Sequence, residues 1–199
     1  NTQYVNSDFT IDGTFTDASG VDSIDVEVST DNVSFSAADP ATASVGAGTW
    51  SWNRTIGAQA DDIYYYRFSF TDLADNSTQL TKTVNLDKVA PTVAFDSTTP
   101  SISFNGPGKS ATGNGNMDLD GTITEDQGVA NIQSIEYQLN ATGWNGLAVN
   151  GTYTVSAINT TTFPDATPLS VHVRATDQNG NVGTDTFTIN VDQSTDKPV

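Results

Sequence analysis

Phe9-Thr10-Ile11-Asp12-Gly13-Thr14-Phe15-Thr16-Asp17 places Phe9, Ile11, Gly13 and Phe15 on one side of an extended chain and polar residues on the other. Its Asp12-Gly13-Thr14-Phe15-Thr16-Asp17 returns as Asp120-Gly121-Thr122-Ile123-Thr124-Glu125, within an alternating run of Met117, Leu119 and Ile123. Strict alternation is the signature of a strand with one face buried. The recurrence asks whether the whole chain is duplicated. Gly20-Val21 returns as Gly128-Val129, and Ser23-Ile24 as Ser134-Ile135 after a three-residue insertion. Gly48-Thr49-Trp50 returns as Gly151-Thr152-Tyr153, Thr71-Asp72 as Thr176-Asp177, and Asn85-Leu86-Asp87 as Asn190-Val191-Asp192. Six coincidences in the same order mean two copies of one unit.

The period of two holds elsewhere. Ile24, Val26 and Val28 alternate with Ser23, Asp25 and Glu27; Tyr64, Tyr66, Phe68 and Phe70 alternate with Tyr65, Arg67 and Ser69. The second copy shows Ile135, Tyr137 and Leu139, then Leu169, Val171 and Val173, then Phe187, Ile189 and Val191. Gly, Asn and Asp clusters separate these runs, and no stretch reads as a helix. Short strands at this density predict an all-β chain of two immunoglobulin-like antiparallel sandwiches in tandem. The expected domains are 1–88 and 89–199, divided at the linker Asp87-Lys88-Val89-Ala90-Pro91-Thr92, with a similar ending in Asp192 to Pro198. The second copy carries a leading segment, Pro91 to Asn105, that the first lacks. The first domain is therefore expected to be short of most of its first strand. Both ends read as cuts from a longer array of repeats.

Composition removes several functions. The chain has 199 residues, 24 acidic and 7 basic side chains and a formal charge of −17. That field repels phosphate backbones, which excludes nucleic acid as a partner. No apolar run is long enough to span a bilayer. There is no Cys, so neither a disulfide frame nor a thiolate site is available, and the single His, His172, sits at an outward strand position between Val171 and Val173. No Gly-Xaa-Ser-Xaa-Gly elbow or phosphate loop occurs, and the carboxylates crowd into short turns, so the chain reads as a non-enzyme.

The acids are lopsided, 21 Asp against three Glu (Glu27, Glu125 and Glu136). Asp favours turns and is a compact hard-oxygen ligand for Ca2+. In a sandwich of this type the B–C and F–G loops share one pole. In the second copy that pole holds Glu125, Asp126, Asp177, Asn179 and Asn181, and the linker residue Asp87 is expected to arrive there from the first copy. These six form the expected ligand pool of an interdomain Ca2+. The equivalent pole of the first copy holds Asp17, Asp22, Asp72, Asp75 and Asn76, expected to be a weaker or incomplete site. Solvated turns, with no metal, are the alternative, since Asp and Asn dominate turns in any acidic β protein.

The linker from Asp87 to Thr92, the Asp-Gly-Thr strand and the Thr-Asp-x-x-x-Asn run before the last strand resemble tandem bacterial immunoglobulin-like repeats of large surface adhesins and secreted proteins. The resemblance covers nearly the whole chain. It implies a structural spacer in an extracellular, cell-surface stalk, often with Ca2+ between repeats. The implied partners are neighbouring repeats of the same chain, with host surfaces or glycans met by other domains, and the implied state is monomeric. Asp62-Ile63-Tyr64-Tyr65-Tyr66 resembles the tyrosine corner of such domains, with Tyr66 bonding upstream backbone, or else holds a Tyr merely packed in a strand. The opposed functional reading is a carbohydrate-binding module. Trp50 and Trp52 share a strand face and are assigned to the core, while Trp144, in Gly143-Trp144-Asn145-Gly146, is the candidate exposed platform.

Overall fold

A computed structural model describes residues 1–99 and 110–192. The chain divides into two compact units, Asn1–Lys88 and Val89–Val199. Among the described residues no helix is long and apolar enough to cross a membrane.

Unit 1 is built from eight strands: β1 (Thr2–Val5), β2 (Phe9–Thr14), β3 (Val21–Ser29), β4 (Ser36–Thr42), β5 (Ser44–Val45), β6 (Thr49–Arg54), β7 (Asp62–Asp72) and β8 (Ser77–Leu86). One sheet has the order β1-β8-β7-β3-β4 and the other β2-β6-β5. All pairs are antiparallel except β1 with β8. The inward residues of both sheets meet in one core, because each strand alternates as its sequence does. Ile11, Ile24, Val26, Trp52, Phe68, Val84 and Leu86 are buried there. Trp52 is the centrepiece. Its ring lies 4.9 Å from Tyr66 and edge-on to Phe9 and Phe68, and its Nε1 donates to the Pro40 carbonyl at 2.8 Å. Trp50 packs against Phe68 at 4.7 Å and Phe70 at 5.4 Å.

Unit 2 repeats the plan with β9 (Thr92–Thr99), β10 (Ser110–Gly113), β11 (Asn116–Thr124), β12 (Ile132–Leu139), β13 (Asn145–Leu147), β14 (Thr152–Asn159), β15 (Pro168–Asp177) and β16 (Val182–Val191). The sheets are β10-β16-β15-β12-β13 and β14-β11-β9. The sole parallel pair among the described strands of this unit is again the short early strand with the last, β10 with β16. Each unit is thus an immunoglobulin-like sandwich, and the fold is all-β. The leading segment expected from Pro91 forms β9 as far as Thr99; its continuation to Asn105 lies outside the described residues, as does the closing linker beyond Asp192.

Of the two readings of Tyr66, the packed strand residue is the one observed. The upstream bond of a tyrosine corner is made by Tyr64, whose hydroxyl donates to the Ala60 carbonyl at 2.8 Å. The Tyr66 hydroxyl instead accepts from Gln59 Nε2 at 3.3 Å, and its ring is sunk in the core beside Trp52 and Phe9. Tyr64 sits two residues earlier on the same strand face, nearer the start of β7, where upstream backbone is within reach.

Candidate metal centre

The Asp-x-x-x-Asn run between the last two strands folds identically in both units. In unit 2 the Asp177 amide donates to the Asn181 carbonyl at 3.1 Å. Asn181 answers through its amide to Asp177 Oδ1 and its Nδ2 to Asp177 Oδ2, both at 2.9 Å. In unit 1 Asn76 makes the same pair of bonds to Asp72, at 2.8 and 2.9 Å. The Asn76 side chain and amide, with the Ala74 amide, hold the Asp72 carboxyl below its ordinary range. The fourth residue of the turn needs a positive φ: Gly180 has φ 87° and Asp75 has φ 62°. Asp is one of the few side chains that tolerate this region. Asp75 is therefore accounted for by backbone geometry.

The two units differ in what surrounds the lock. In unit 2 Asp177 is 0% exposed, and Glu125, Asn131 and Asn179 are also buried. Asn131 Nδ2 stands 3.4 Å from both Glu125 Oε1 and Asn179 Oδ1, bridging the loop after β11 to the loop before β16. The Gln178 amide donates to the Asn131 carbonyl at 2.8 Å, tying the two loops by backbone as well. Glu125 and Asp177 each present an oxygen within 4.8 Å of the other. Two oxygens on one Ca2+ at ordinary bond lengths of ~2.3–2.6 Å can lie up to ~5 Å apart, so the spacing suits a shared ion. The lock spends one acceptor position on each Asp177 oxygen, and an ionised carboxylate has about four. Among the described residues the Asp177 carboxylate meets no cationic side chain. A fully buried carboxylate of that kind is costly unless a cation accompanies it. The donor set is carboxylate and amide oxygen, with no thiol and one remote imidazole, which selects a hard cation over a transition metal.

The remaining expected ligands fall differently. Asp126 is exposed on the turn, outside the buried group. Asp87 follows β8 and its amide donates to the Val5 carbonyl at 3.0 Å. In unit 1 Asp17, Asp72 and Asn76 border a cavity of about 190 Å³, whose floor is Phe15, Val21 and Phe70. Asp17 is exposed and caps the Ser19 amide at 2.8 Å. Asp22 and Asp75 are exposed and do not border that cavity. The pole of unit 1 is thus open and lined partly by aromatic carbon, where unit 2 has buried oxygen.

Asn131 was not anticipated. It lies in a 3₁₀ turn, Val129–Asn131, inside the insertion that breaks the repeat, so no equivalent in the first copy draws attention to it. Trp50 and Trp52 are core residues, 4% and 1% exposed. Trp144 is half-buried, and the Arg174 guanidinium covers one ring face at 4.1 Å from the centroid while also pairing with Glu136 at 2.8 Å. His172 Nδ1 contacts the Thr186 hydroxyl at 2.9 Å on the outer face.

No protein-family model and no curated protein matches the chain. Solved structures do. A tetra-tandem repeat from the extending region of a large adhesion protein is 18% identical over 92% of this chain, with a TM-score of 0.37. A Ca2+-stabilised adhesin of an Antarctic bacterium that binds ice is 18% identical over 94%, with a TM-score of 0.38. Murine CEACAM1b is 9% identical over 96% of this chain and 95% of its own, with a TM-score of 0.43. The chain spans 45% of each of those two adhesin segments.

Proposed function

We propose that the chain is a structural spacer in the stalk of an extracellular, adhesin-like bacterial surface protein, and that Ca2+ stiffens the joint between its two sandwiches. The observation that carries the reading is the Asp177 carboxylate, completely buried next to Glu125 with only uncharged partners among the described residues. Asp177, Glu125, Asn179 and Asn181 supply oxygen from unit 2, with Asp126 at the rim. Asp87 supplies the linker carboxylate. Covalent geometry favours it: the Pro91 carbonyl is packed against Gly183 at the start of β16, two residues beyond Asn181. Asp87 is four residues before Pro91, so their Cα atoms are at most ~14 Å apart in any arrangement. A divalent ion relieves the mutual repulsion of these carboxylates and ties the linker to the two loops. The charge of −17 supports solubility in a crowded array of such repeats.

The test is calorimetric titration of Ca2+ into the chelator-stripped chain, paired with small-angle scattering with and without the ion. Saturable heat, a higher melting temperature and a longer, less variable particle are expected. No heat and no thermal shift at millimolar Ca2+, with superimposable scattering curves, would reject the reading. The carbohydrate-binding alternative is left with little surface, because Trp50 and Trp52 are in the core and Trp144 carries Arg174 on its face.

A further inference from the structure

The two Asp-x-x-x-Asn turns are locked alike, but the loop that meets them differs. In unit 1 one residue, Asp22, separates Gly20-Val21 from Ser23-Ile24. In unit 2 four residues, Ala130 to Gln133, separate Gly128-Val129 from Ser134-Ile135. The longer segment closes on itself, the Asn131 amide donating to the Gly128 carbonyl at 2.8 Å to form the 3₁₀ turn Val129–Asn131. This moves the bond between the loops. The Leu73 amide of unit 1 reaches the Gly20 carbonyl at 3.4 Å, whereas its counterpart in unit 2, the Gln178 amide, reaches the Asn131 carbonyl at 2.8 Å.

Three further bonds join the inserted turn to its surroundings. Gln178 Nε2 donates to the Ala130 carbonyl at 3.0 Å on the exposed side. On the buried side Asn131 Nδ2 donates to Glu125 Oε1 and to Asn179 Oδ1, both at 3.4 Å. Asn131, Glu125 and Asn179 are buried together. A primary amide carries two N–H groups, so one nitrogen can serve both oxygens. The effect is directional. Asn179 can turn either its oxygen or its NH2 toward a neighbour, and of the two only the oxygen binds a hard cation. A donor at Asn131 selects the oxygen. The same donor holds one oxygen of Glu125 and so fixes the carboxylate that stands beside Asp177. One side chain thus orients two candidate ligands that come from two different loops.

We infer that Asn131 is the positioning residue of this centre, setting the orientation of Glu125 and Asn179 toward a Ca2+ held with Asp177. The inference rests on the Ca2+ reading above and adds to it the residue that governs affinity. Asn131 acts through the two side chains that it holds. Partners of this kind, one shell out from the metal, commonly change metal affinity by about 10–100-fold when they are removed. Asp72 and Asn76 repeat the lock in unit 1 without the inserted amide. The lock and the positioning donor are therefore separate features, and the second belongs to the insertion.

The test titrates Ca2+ alone into the chelator-stripped 199-residue chain, followed by calorimetry. Asn131→Leu keeps the size of the side chain and removes the donor, and its Ca2+ affinity should fall by about 10–100-fold. Gln178→Ala removes the other side-chain tie to the same turn, yet that tie addresses no oxygen of Glu125 or Asn179. It should keep the Ca2+ affinity of the unaltered chain, whatever it costs in melting temperature. A further readout needs no variant. The side-chain amide protons of Asn131 should resist hydrogen exchange in the ion-free and the Ca2+-loaded chain alike, because the bonds to Glu125 and Asn179 persist beside the ion. If Asn131→Leu leaves unit 2 unfolded, this exchange measurement decides. Undiminished affinity in Asn131→Leu, an equal loss in Gln178→Ala, or release of the Asn131 protons by Ca2+ would overturn the inference and leave the Ca2+ reading standing. An unaltered chain that takes up no Ca2+ would overturn both.

Discussion

Alanine at Gly121 and at Gly13 is the same substitution at equivalent positions of the repeat, and the two should differ sharply. A Cβ on Gly121 falls 2.2 Å from the Ala94 carbonyl oxygen and 2.3 Å from the Tyr153 Cζ and hydroxyl. Ordinary carbon contacts are ~3.5 Å or more, so roughly 1 Å must be found. Neither neighbour yields easily: one is backbone of β9 and the other is a ring only 5% exposed. Burial also pushes the Tyr153 phenol up, favouring the protonated form that donates to Ala94. Overpacking of this kind costs ~1–3 kcal/mol, and loss of the Tyr153–Ala94 bond adds about 1. Removing a strand glycine returns ~0.5–1 kcal/mol. Gly121→Ala should therefore destabilise unit 2 by ~2–3 kcal/mol, lowering its transition by ~10 °C or more. The three atoms nearest a Cβ on Gly13 all belong to the Trp50 ring, the closest being Nε1 at 2.8 Å. That ring is buried as well, but the overlap is smaller and involves no backbone atom, so Gly13→Ala should leave unit 1 within ~1 kcal/mol of its starting stability. Scanning calorimetry of the intact chain measures both, the unmutated unit serving as reference, with hydrogen exchange assigning each transition. Equal losses at the two positions, or a shift in unit 2 worth less than ~1 kcal/mol, would refute the reasoning.

Trp52→Ala removes a ring that is 1% exposed together with its bond to the Pro40 carbonyl, so unit 1 should lose ~3–5 kcal/mol while the transition of unit 2 stays in place; denaturant melts followed by hydrogen exchange will show this. The Asp31 carboxylate accepts from the Ser34 amide, the Ser29 hydroxyl and the Val33 amide, which hold its folded pKa well below the ordinary range. A depressed folded value contributes stability above the unfolded pKa of ~3.9 and loses it as pH falls below, so the stability difference between the native chain and Asp31→Ala should be constant near neutrality and shrink on acidification below about pH 4. Removing the guanidinium in Arg174→Ala uncovers the Trp144 ring, and tryptophan emission should shift to the red with ~1 kcal/mol or less lost from unit 2, because the Glu136 pair and the ring contact are both partly solvated.

Alternation and duplication were readable directly. Phe9 to Phe15, Tyr64 to Phe70 and Phe187 to Val191 carry their burial in their spacing, because a strand has a period of two and one face of each sheet must leave water. The Asp-x-x-x-Asn runs were visible as a motif. Their first task, the side-chain lock of Asp72 by Asn76 and of Asp177 by Asn181, is local and follows from short polar side chains bonding nearby backbone. For Tyr66 a corner and a packed strand residue both stood open, and the structure shows the second; Tyr64 and Tyr66 share a face, and Tyr64, nearer the start of the strand, is the one that reaches Ala60.

The sequence by itself thus determined the strands, the duplicated unit and the turns that close it, all of which depend on neighbours along the chain. Tertiary structure alone decided which acids are buried. Asp177 and Glu125 are buried together through Asn131, a residue in an insertion without a counterpart, whereas Asp22, Asp75 and Asp126 of the same composition face water. It also decided that Gly121 is crowded by the Ala94 carbonyl and the Tyr153 ring while Gly13 lies against the Trp50 ring, although the two strands read almost alike. Burial and coverage are set by groups far apart in sequence, and a local pattern carries no record of what will pack against it.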